Sequence, residues 1–248
     1  NMGVGSYGID QMLLKYERHG QALRPDVVVL GIFPHDYDRT RLSFYSYAKP
    51  VFRPGGATGP YTLENVPVPP PREVCASLKQ SLGDPGSYAW VFVKNRFRKL
   101  LATLPGGGGY FEETDRLVEY LLERLKGDLD RTGTKLLIVC IPGGSAFENA
   151  ETLSRAGSEP RAARLRALYK RLEIPCVDLL EAFPAKHSAT TVYREFYIHR
   201  PDGSIGHFTP RGNAETAKII AGALRDRGMM QGGDRTIVRN AVEKRTGL

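Results

Sequence analysis

Cysteine is scarce in this sequence, and its spacing does not suit a metal or disulfide scaffold. The 248 residues include three cysteines, Cys75, Cys140 and Cys176, and no CxxC pair. Cys140 and Cys176 each lie in an apolar run, where a thiol behaves as a small core side chain. A chain of this length buries enough surface to fold without cross-links. We therefore expect no structural metal, no disulfide framework and no cofactor.

Long apolar runs are also missing. No segment approaches the roughly 20 residues that a membrane-spanning helix needs, and no signal peptide is visible. The chain begins with Asn1 rather than Met, so we expect that sequence upstream of it has been removed. The sequence predicts no membrane span within these residues and leaves localisation and oligomeric state undetermined.

Basic residues are in excess, with 35 Lys and Arg against 27 Asp and Glu and a formal net charge of +8. Such a charge is compatible with an anionic partner such as nucleic acid. The basic residues alternate with apolar ones in segments such as RAARLRALYKRL, however, and no zinc-finger, RNP or helix-turn-helix spacing occurs. This pattern is typical of solvated helix faces, and we expect no nucleic-acid partner.

Alternating strand and helix patterns predict an α/β fold. Apolar, β-branched runs predict strands over PDVVVLGIF, KLLIVCIP and IPCVDLL, and helical periodicity predicts helices over residues 110–131, 159–172 and 210–227. The first segment, NMGVGSYGIDQMLLKYERHG, indicates the end of a strand, a glycine-rich turn and a helix that stops at Gly20. Such alternation is typical of a parallel sheet with helices on both faces. We predict a single domain over residues 1–248.

Residues 37–109 interrupt this alternation. Proline is concentrated in this segment, which ends in a run of four glycines. We predict an insertion of loops and short hairpins, including VPVPPP, with one helix near residues 88–101. Long segments of this kind inside a compact domain are usually functional caps or lids, although padding is an alternative. Residues 229–248 are predicted to form a peripheral tail.

In an open parallel sheet, ligands bind beyond the carboxyl ends of the strands. Three segments there carry polar residues: GVGSYG, GIFPHDYD and PDGSIGHFTPRGN. His207, in the third, lies on a predicted loop that leads into a helix beginning with Pro210. Asp202, five residues earlier, can turn back to orient the imidazole as in an acyl-transfer triad. The alternative is that backbone groups satisfy His207.

These motifs together resemble the SGNH/GDSL hydrolase superfamily, in particular its bacterial acyl-hydrolase and O-acetyltransferase-like members. The resemblance rests on NMGVGSYGIDQ, PDVVVLGIFPHDYDR and GHFTPRGNAETA, which occur in this order around the insertion. It implies a three-layer, flavodoxin-like α/β/α domain. It also implies a serine esterase or O-acyltransferase that acts on a small-molecule or carbohydrate ester, in a family whose members are often exported or membrane-tethered.

The resemblance gives roles to four residues. His207 matches the general base, and Asp202 is the nearest candidate for its acid partner, because Ser204 and Ile205 occupy the family's usual places for the acid. In the oxyanion hole, the backbone N–H of Ser6 and the side chain of His35 match the two donors.

The family's Gly-Asp-Ser block, which carries the nucleophile, does not occur in this sequence. We therefore expect an N-terminally incomplete domain that lacks its first strand and its nucleophile and is itself inactive.

Two further interpretations use the same residues. Ser6, Asp178 and His207 follow the chain order of an α/β-hydrolase triad, with GVGSYG as the nucleophile elbow. Asp178 is otherwise a helix cap. A non-catalytic domain would instead hold an acylated sugar or peptide in the same cleft without turnover.

Two weaker patterns remain. Gly3, Gly5 and Gly8 satisfy GxGxxG, but no acidic residue follows at the distance a dinucleotide site requires. His35 clusters with Asp36 and Asp38, but without further histidines such a cluster favours a loop network over a metal site. The other histidines, His19, His187 and His199, are expected on the surface.

Overall fold

The computed structural model describes residues 1–56, 60–70, 72, 73, 76 and 109–230. By contacts the chain divides into two compact units. The first comprises residues 1–24, 32–128 and 160–168, and the second comprises residues 25–31, 129–159 and 169–248. The helix predicted near residues 88–101 and most of the predicted tail, residues 231–248, lie outside the described residues. None of the described helices is both long and apolar enough to span a membrane.

Eight helices and nine strands are described. Helices α1 to α8 span Ile9–Lys15, Pro34–Arg39, Gly109–Arg131, Ala150–Gly157, Pro160–Arg171, Leu179–Ala182, Ala189–Thr191 and Pro210–Asp226. Strands β1 to β9 span Val27–Ile32, Phe44–Tyr45, Tyr47–Ala48, Val51–Pro54, Tyr61–Glu64, Lys135–Cys140, Cys176–Asp178, Tyr197–His199 and Ile205–Phe208. Single π-helical turns follow α1 at Tyr16–Gly20 and α7 at Val192–Phe196.

Strands β1, β6 and β7 form a three-stranded parallel sheet with the order β1-β6-β7. The predicted α/β class is confirmed by this sheet and by the long helices α3, α5 and α8, whose bounds lie within two residues of the predicted ones. The third predicted strand is shorter than IPCVDLL suggested. It ends at Asp178, because the Asp178 carboxylate accepts the backbone N–H of Leu180 at 2.9 Å and so begins α6.

Aromatic rings fill the core of the second unit. Four of the six β6 residues are buried, and Leu137 and Val139 belong to a cluster that includes Phe147, Phe183 and Phe196. The Phe183 ring packs edge-on against Phe147 at 6.0 Å and against Phe196 at 5.2 Å between ring centroids. Edge-to-face pairs of this kind add to the free energy gained by burying the rings.

Amphipathic helices supply much of the core of the first unit. Helix α1 buries Ile9 and Leu13, which are four residues apart. Helix α3 buries Leu117, Leu121 and Leu125 at the same spacing. Side chains three or four residues apart share one helix face, so each helix turns an apolar stripe inward.

Several local predictions are wrong. Residues 1–4 form no strand, so α1 is preceded by a turn alone. Helix α4 was not expected; it forms because Asn149 caps it, with its side chain accepting the Thr152 N–H at 2.9 Å.

Within the insertion, the predicted short hairpins are present as β2–β3 and β4–β5. The described part of VPVPPP, residues 66–70, forms no strand.

Candidate functional site

His207 lies in a strand rather than on the predicted loop. It belongs to β9, which pairs antiparallel with β8. Tyr197 faces Phe208 and His199 faces Ile205, so Ile198 alone stands opposite two residues, Gly206 and His207. This arrangement is a β-bulge, a device that redirects a side chain within a strand.

Packing explains why the loop prediction is wrong. The Phe208 ring contacts Phe183 at 5.9 Å and Tyr197 at 4.8 Å between centroids, and Ile205 packs against the same cluster. The core therefore holds both ends of β9. His207, between them, is exposed. Over the described ranges, the His207 imidazole makes no hydrogen bond or ion pair.

Asp202 lies in the turn of the same hairpin and is fully exposed. Its carboxylate accepts the backbone N–H of Ser204 at 2.9 Å, and the turn is closed by the Gly203 N–H donating to the Arg200 carbonyl. The hydrogen bonds from Ser204 lower the pKa of Asp202. The structure thus pairs Asp202 with Ser204 and not with His207, and its role as the acid partner stays a prediction.

The chain leaves His207 along a fixed path into α8. Thr209 caps the helix: its hydroxyl accepts the Gly212 N–H at 3.1 Å and donates to the Glu195 carbonyl at 2.6 Å. Gly212 approaches Phe196 so closely that a Cβ there would lie 2.3 Å from the Phe196 carbonyl oxygen. The predicted helix start at Pro210 is confirmed.

Ser6 belongs to the first unit, where it occupies a turn ahead of α1. Its φ of 67° is in the left-handed region, which is uncommon for a residue other than glycine. Throughout the described chain, its backbone N–H has no hydrogen-bond acceptor. Because no strand precedes Ser6, neither the strand–turn–helix of a nucleophile elbow nor that of a dinucleotide-binding loop is formed.

His35 also belongs to the first unit and lies in the first turn of α2. Its side chain is 62% exposed, and its Nδ1 is 3.8 Å from Asp38 Oδ2. The adjacent carboxylates have protein partners: Asp36 accepts the Phe33 N–H at 2.9 Å and binds Arg39 at 2.8 Å. Asp38 binds Arg161.

The interpretation of His35, Asp36 and Asp38 as a structural network is therefore supported, although the network belongs to a helix and not to a loop. Within the described ranges, no group of three or more His, Cys, Asp and Glu side chains could hold a metal ion.

Two histidines have partners that the sequence did not indicate. His187 Nε2 is 3.4 Å from Glu215 Oε2, and the His187 ring packs edge-on against Phe196. His199 Nε2 is 2.7 Å from the Tyr193 carbonyl oxygen. His187 and Glu215 are 28 positions apart, so no local pattern could have linked them.

A buried ion pair between Asp10 and Lys49 is the other feature that the sequence did not reveal. Lys49 Nζ is 2.5 Å from Asp10 Oδ2 and also donates to the Arg39 carbonyl at 2.9 Å. The second carboxylate oxygen of Asp10 is buried without a hydrogen bond in the described part of the chain. Burial raises the pKa of Asp10 to about 6 and lowers the pKa of Lys49.

Comparison with known proteins adds no relative: no protein-family model, no curated protein and no solved structure matches this chain.

Proposed function

We propose that this protein is an SGNH-type serine esterase or O-acyltransferase, built on a flavodoxin-like three-layer α/β/α fold, that acts on acyl or acetyl esters. The observation that carries the proposal is the state of His207. Its ring is exposed and makes no hydrogen bond or ion pair over the described ranges. Its strand leads directly into the capped start of α8. A general base needs a ring that a substrate can reach and a fixed backbone, and His207 has both.

In the proposed mechanism a serine hydroxyl attacks the ester carbonyl. His207 takes the hydroxyl proton and returns it to the leaving alcohol, and a second acceptor, water or another alcohol, then releases the acyl group. The sequence contains no Gly-Asp-Ser block. The natural gene product, including any sequence upstream of Asn1, is therefore the protein to assay. We expect it to hydrolyse a short activated ester. Equal turnover by the 248-residue chain would point to Ser6 as the nucleophile.

His207 and His199 allow a matched test, because both lie exposed on the same hairpin. We expect His207→Ala to lower kcat by about 10⁶-fold, as removal of a triad base does. His199→Ala removes an equal side chain whose partner is the Tyr193 carbonyl, and we expect kcat to change less than about threefold. Full activity of His207→Ala would refute the role of His207.

Asp202 is proposed as the residue that orients His207. An exposed aspartate carboxylate is ionised at neutral pH, as support of an imidazolium requires. To orient His207, the Asp202 carboxylate must give up its hydrogen bond from Ser204 and accept one from the imidazole. We expect Asp202→Asn to lower kcat more than about 100-fold and to shift the pH profile of kcat, whereas Asp178→Asn, at the cap of α6, should cost little. The reverse order would favour the α/β-hydrolase triad with Asp178.

By the resemblance, Ser6 and His35, which both belong to the first unit, match the family's oxyanion donors, and these roles stay predictions. The unbonded N–H of Ser6 and the exposed ring of His35 each leave a donor for a ligand. Loss of one such donor lowers kcat by about 10²- to 10³-fold, which we expect for His35→Ala. Ser6→Ala keeps the backbone N–H, so we expect a small effect. Abolished activity in Ser6→Ala would instead identify Ser6 as the nucleophile.

A second candidate function is non-catalytic binding of an acylated sugar or peptide. The observation that favours it is the engagement of Asp202 with Ser204, which leaves His207 without an acid. Calorimetric titration of the natural gene product with acetylated and deacetylated oligosaccharides tests it. Selective binding of the acetylated form with no deacetylation after prolonged incubation would support this function over the esterase.

A further inference from the structure

Two cysteines lie against each other on neighbouring strands of the three-stranded sheet. Cys140 is the last residue of β6 and Cys176 the first residue of β7, and their sulfur atoms are 3.3 Å apart. Neither residue is in a disulfide, and both are half-buried rather than enclosed in the core as the apolar runs suggested.

The pairing of the strands explains the contact. Ile138 stands opposite Cys176, and Cys140 stands opposite Asp178. Side chains alternate between the faces of a strand, so Cys140 and Ile138 share a face, and Cys176 lies on that face too. The two cysteines are therefore diagonal neighbours whose side chains lean toward one another.

Forming a disulfide requires the sulfurs to approach further, and β7 is the strand that would move. A disulfide has an S–S length of about 2.05 Å, so bond formation shortens the present separation by roughly 1.3 Å. In the order β1-β6-β7, strand β7 is at the end of the sheet, has three residues, and pairs with β6 alone within the described chain. A shift of β7 disturbs its ladder with β6, the packing of Val177 in the core and the hydrogen bond from Arg227 to the Cys176 carbonyl, and it disturbs no second ladder within the described chain.

The two cysteines are better suited to forming a disulfide than to binding a zinc ion. Structural zinc takes four ligands, whereas no group of three or more His, Cys, Asp and Glu residues suitable for a metal occurs among the residues the structure describes. The chemistry left to two adjacent thiols is oxidation to each other.

We propose that Cys140 and Cys176 are a modification site, a dithiol that a small disulfide such as oxidised glutathione converts to an intramolecular disulfide. One cysteine thiolate attacks the glutathione S–S bond and releases one glutathione thiolate. The second cysteine thiolate attacks the mixed disulfide and releases the other. The two cysteines are oxidised, the glutathione disulfide is reduced to two thiols, and the two cysteine protons end on those thiols. The inference does not depend on the proposed esterase function.

The test uses the folded chain with oxidised glutathione. In the Cys75→Ser variant, which keeps only the two cysteines of interest, we expect the intact mass to fall by about 2 Da and both cysteines to resist alkylation after denaturation. Adding dithiothreitol should restore both alkylation sites. The unsubstituted chain, digested without reduction, should yield a peptide that joins Cys140 to Cys176, so the test does not rely on the variant alone.

Single variants provide the control. With Cys75→Ser as background, Cys140→Ser and Cys176→Ser each leave one cysteine without its partner, and each should gain one glutathione instead of losing about 2 Da. Two glutathiones on the Cys75→Ser chain, a disulfide between two chains, or two cysteines that stay open to alkylation would each overturn the proposal.

Discussion

The ammonium of Lys49 lies 2.5 Å from the carboxylate of Asp10, and both side chains are wholly buried. The contact joins helix α1 to the residue that follows β3, 39 positions along the chain. An ion in a low-dielectric interior is costly unless it is paired, so each charge here depends on the other.

Removing one partner of this pair should be strongly destabilising. We expect Asp10→Ala and Lys49→Met each to lower the free energy of unfolding by about 3–5 kcal/mol, because each leaves the charge of the other residue buried without a partner. The double variant should lose much less than the sum. The exposed pair Glu151–Arg155 is the control, and Glu151→Gln should cost less than about 1 kcal/mol. Urea titration measures all of these, and additive losses at Asp10 and Lys49 would show that the two are not coupled.

The same pair predicts a pH dependence of stability. Burial raises the pKa of Asp10 from 3.8 to about 6, so between these values the folded protein binds a proton that the unfolded chain does not. Linkage then makes the contribution of Asp10 to stability rise as pH falls from about 6 toward 4, by at most about 1.4 kcal/mol per pH unit.

Asp10→Asn removes this titration. Urea titrations between pH 4 and 7 should therefore show the stability of the unsubstituted chain rising relative to that of the variant as pH falls. A difference that stays constant over this range would contradict the assignment.

Two glycines of α8 should respond in opposite directions to the same substitution. Gly212→Ala places a Cβ 2.3 Å from the Phe196 carbonyl oxygen, and we expect a loss of about 1–3 kcal/mol. Gly222 has open space around it, so Gly222→Ala should gain about 0.5–1 kcal/mol through helix propensity. Thermal unfolding compares the two, and equal melting temperatures would count against the tight contact at Gly212.

Glu17 and Arg124 form a two-pronged ion pair, with N–O distances of 2.7 and 3.0 Å. A double-mutant cycle with Glu17→Gln and Arg124→Met should give a coupling of about 0.5–1 kcal/mol, since the fork fixes the geometry. The pair Arg53–Glu64, exposed and 3.9 Å apart, should give a coupling near zero. Equal coupling energies for the two pairs would show that the two parallel hydrogen bonds between Arg124 and Glu17 add no stability.

Elements with a strong local pattern could be predicted from the sequence. Strand β6 is a continuous apolar run, and α3 repeats leucine at residues 117, 121 and 125, so neither needs a distant contact to be recognised. The hairpin of β8 and β9 was missed because its strands are short and the bulge at His207 breaks the two-residue alternation. Its stability comes from contacts of Phe208 with distant rings, which periodicity does not report.

Local chemistry was also the limit for the candidate site. The cap role of Asp178 was foreseen as an alternative, because a cap acts within two residues of itself. The partners of Asp10 and His187 were not foreseen. Each partner lies more than 25 positions away, and no local sequence pattern indicates which distant charges pair. The exposure of His207 could not be predicted either, because it results from the packing of Ile205 and Phe208 against distant core residues.

The division of the chain has a consequence for its synthesis. Each compact unit is assembled from three separate stretches, and the chain passes from one unit to the other five times. The first unit is incomplete until residues 160–168 have left the ribosome, although residues 1–24 of the same unit are made much earlier. Neither unit corresponds to one continuous stretch of gene, so neither can be transplanted as a cassette, and a single proteolytic cut cannot release either one. The two units must therefore be encoded and synthesised together.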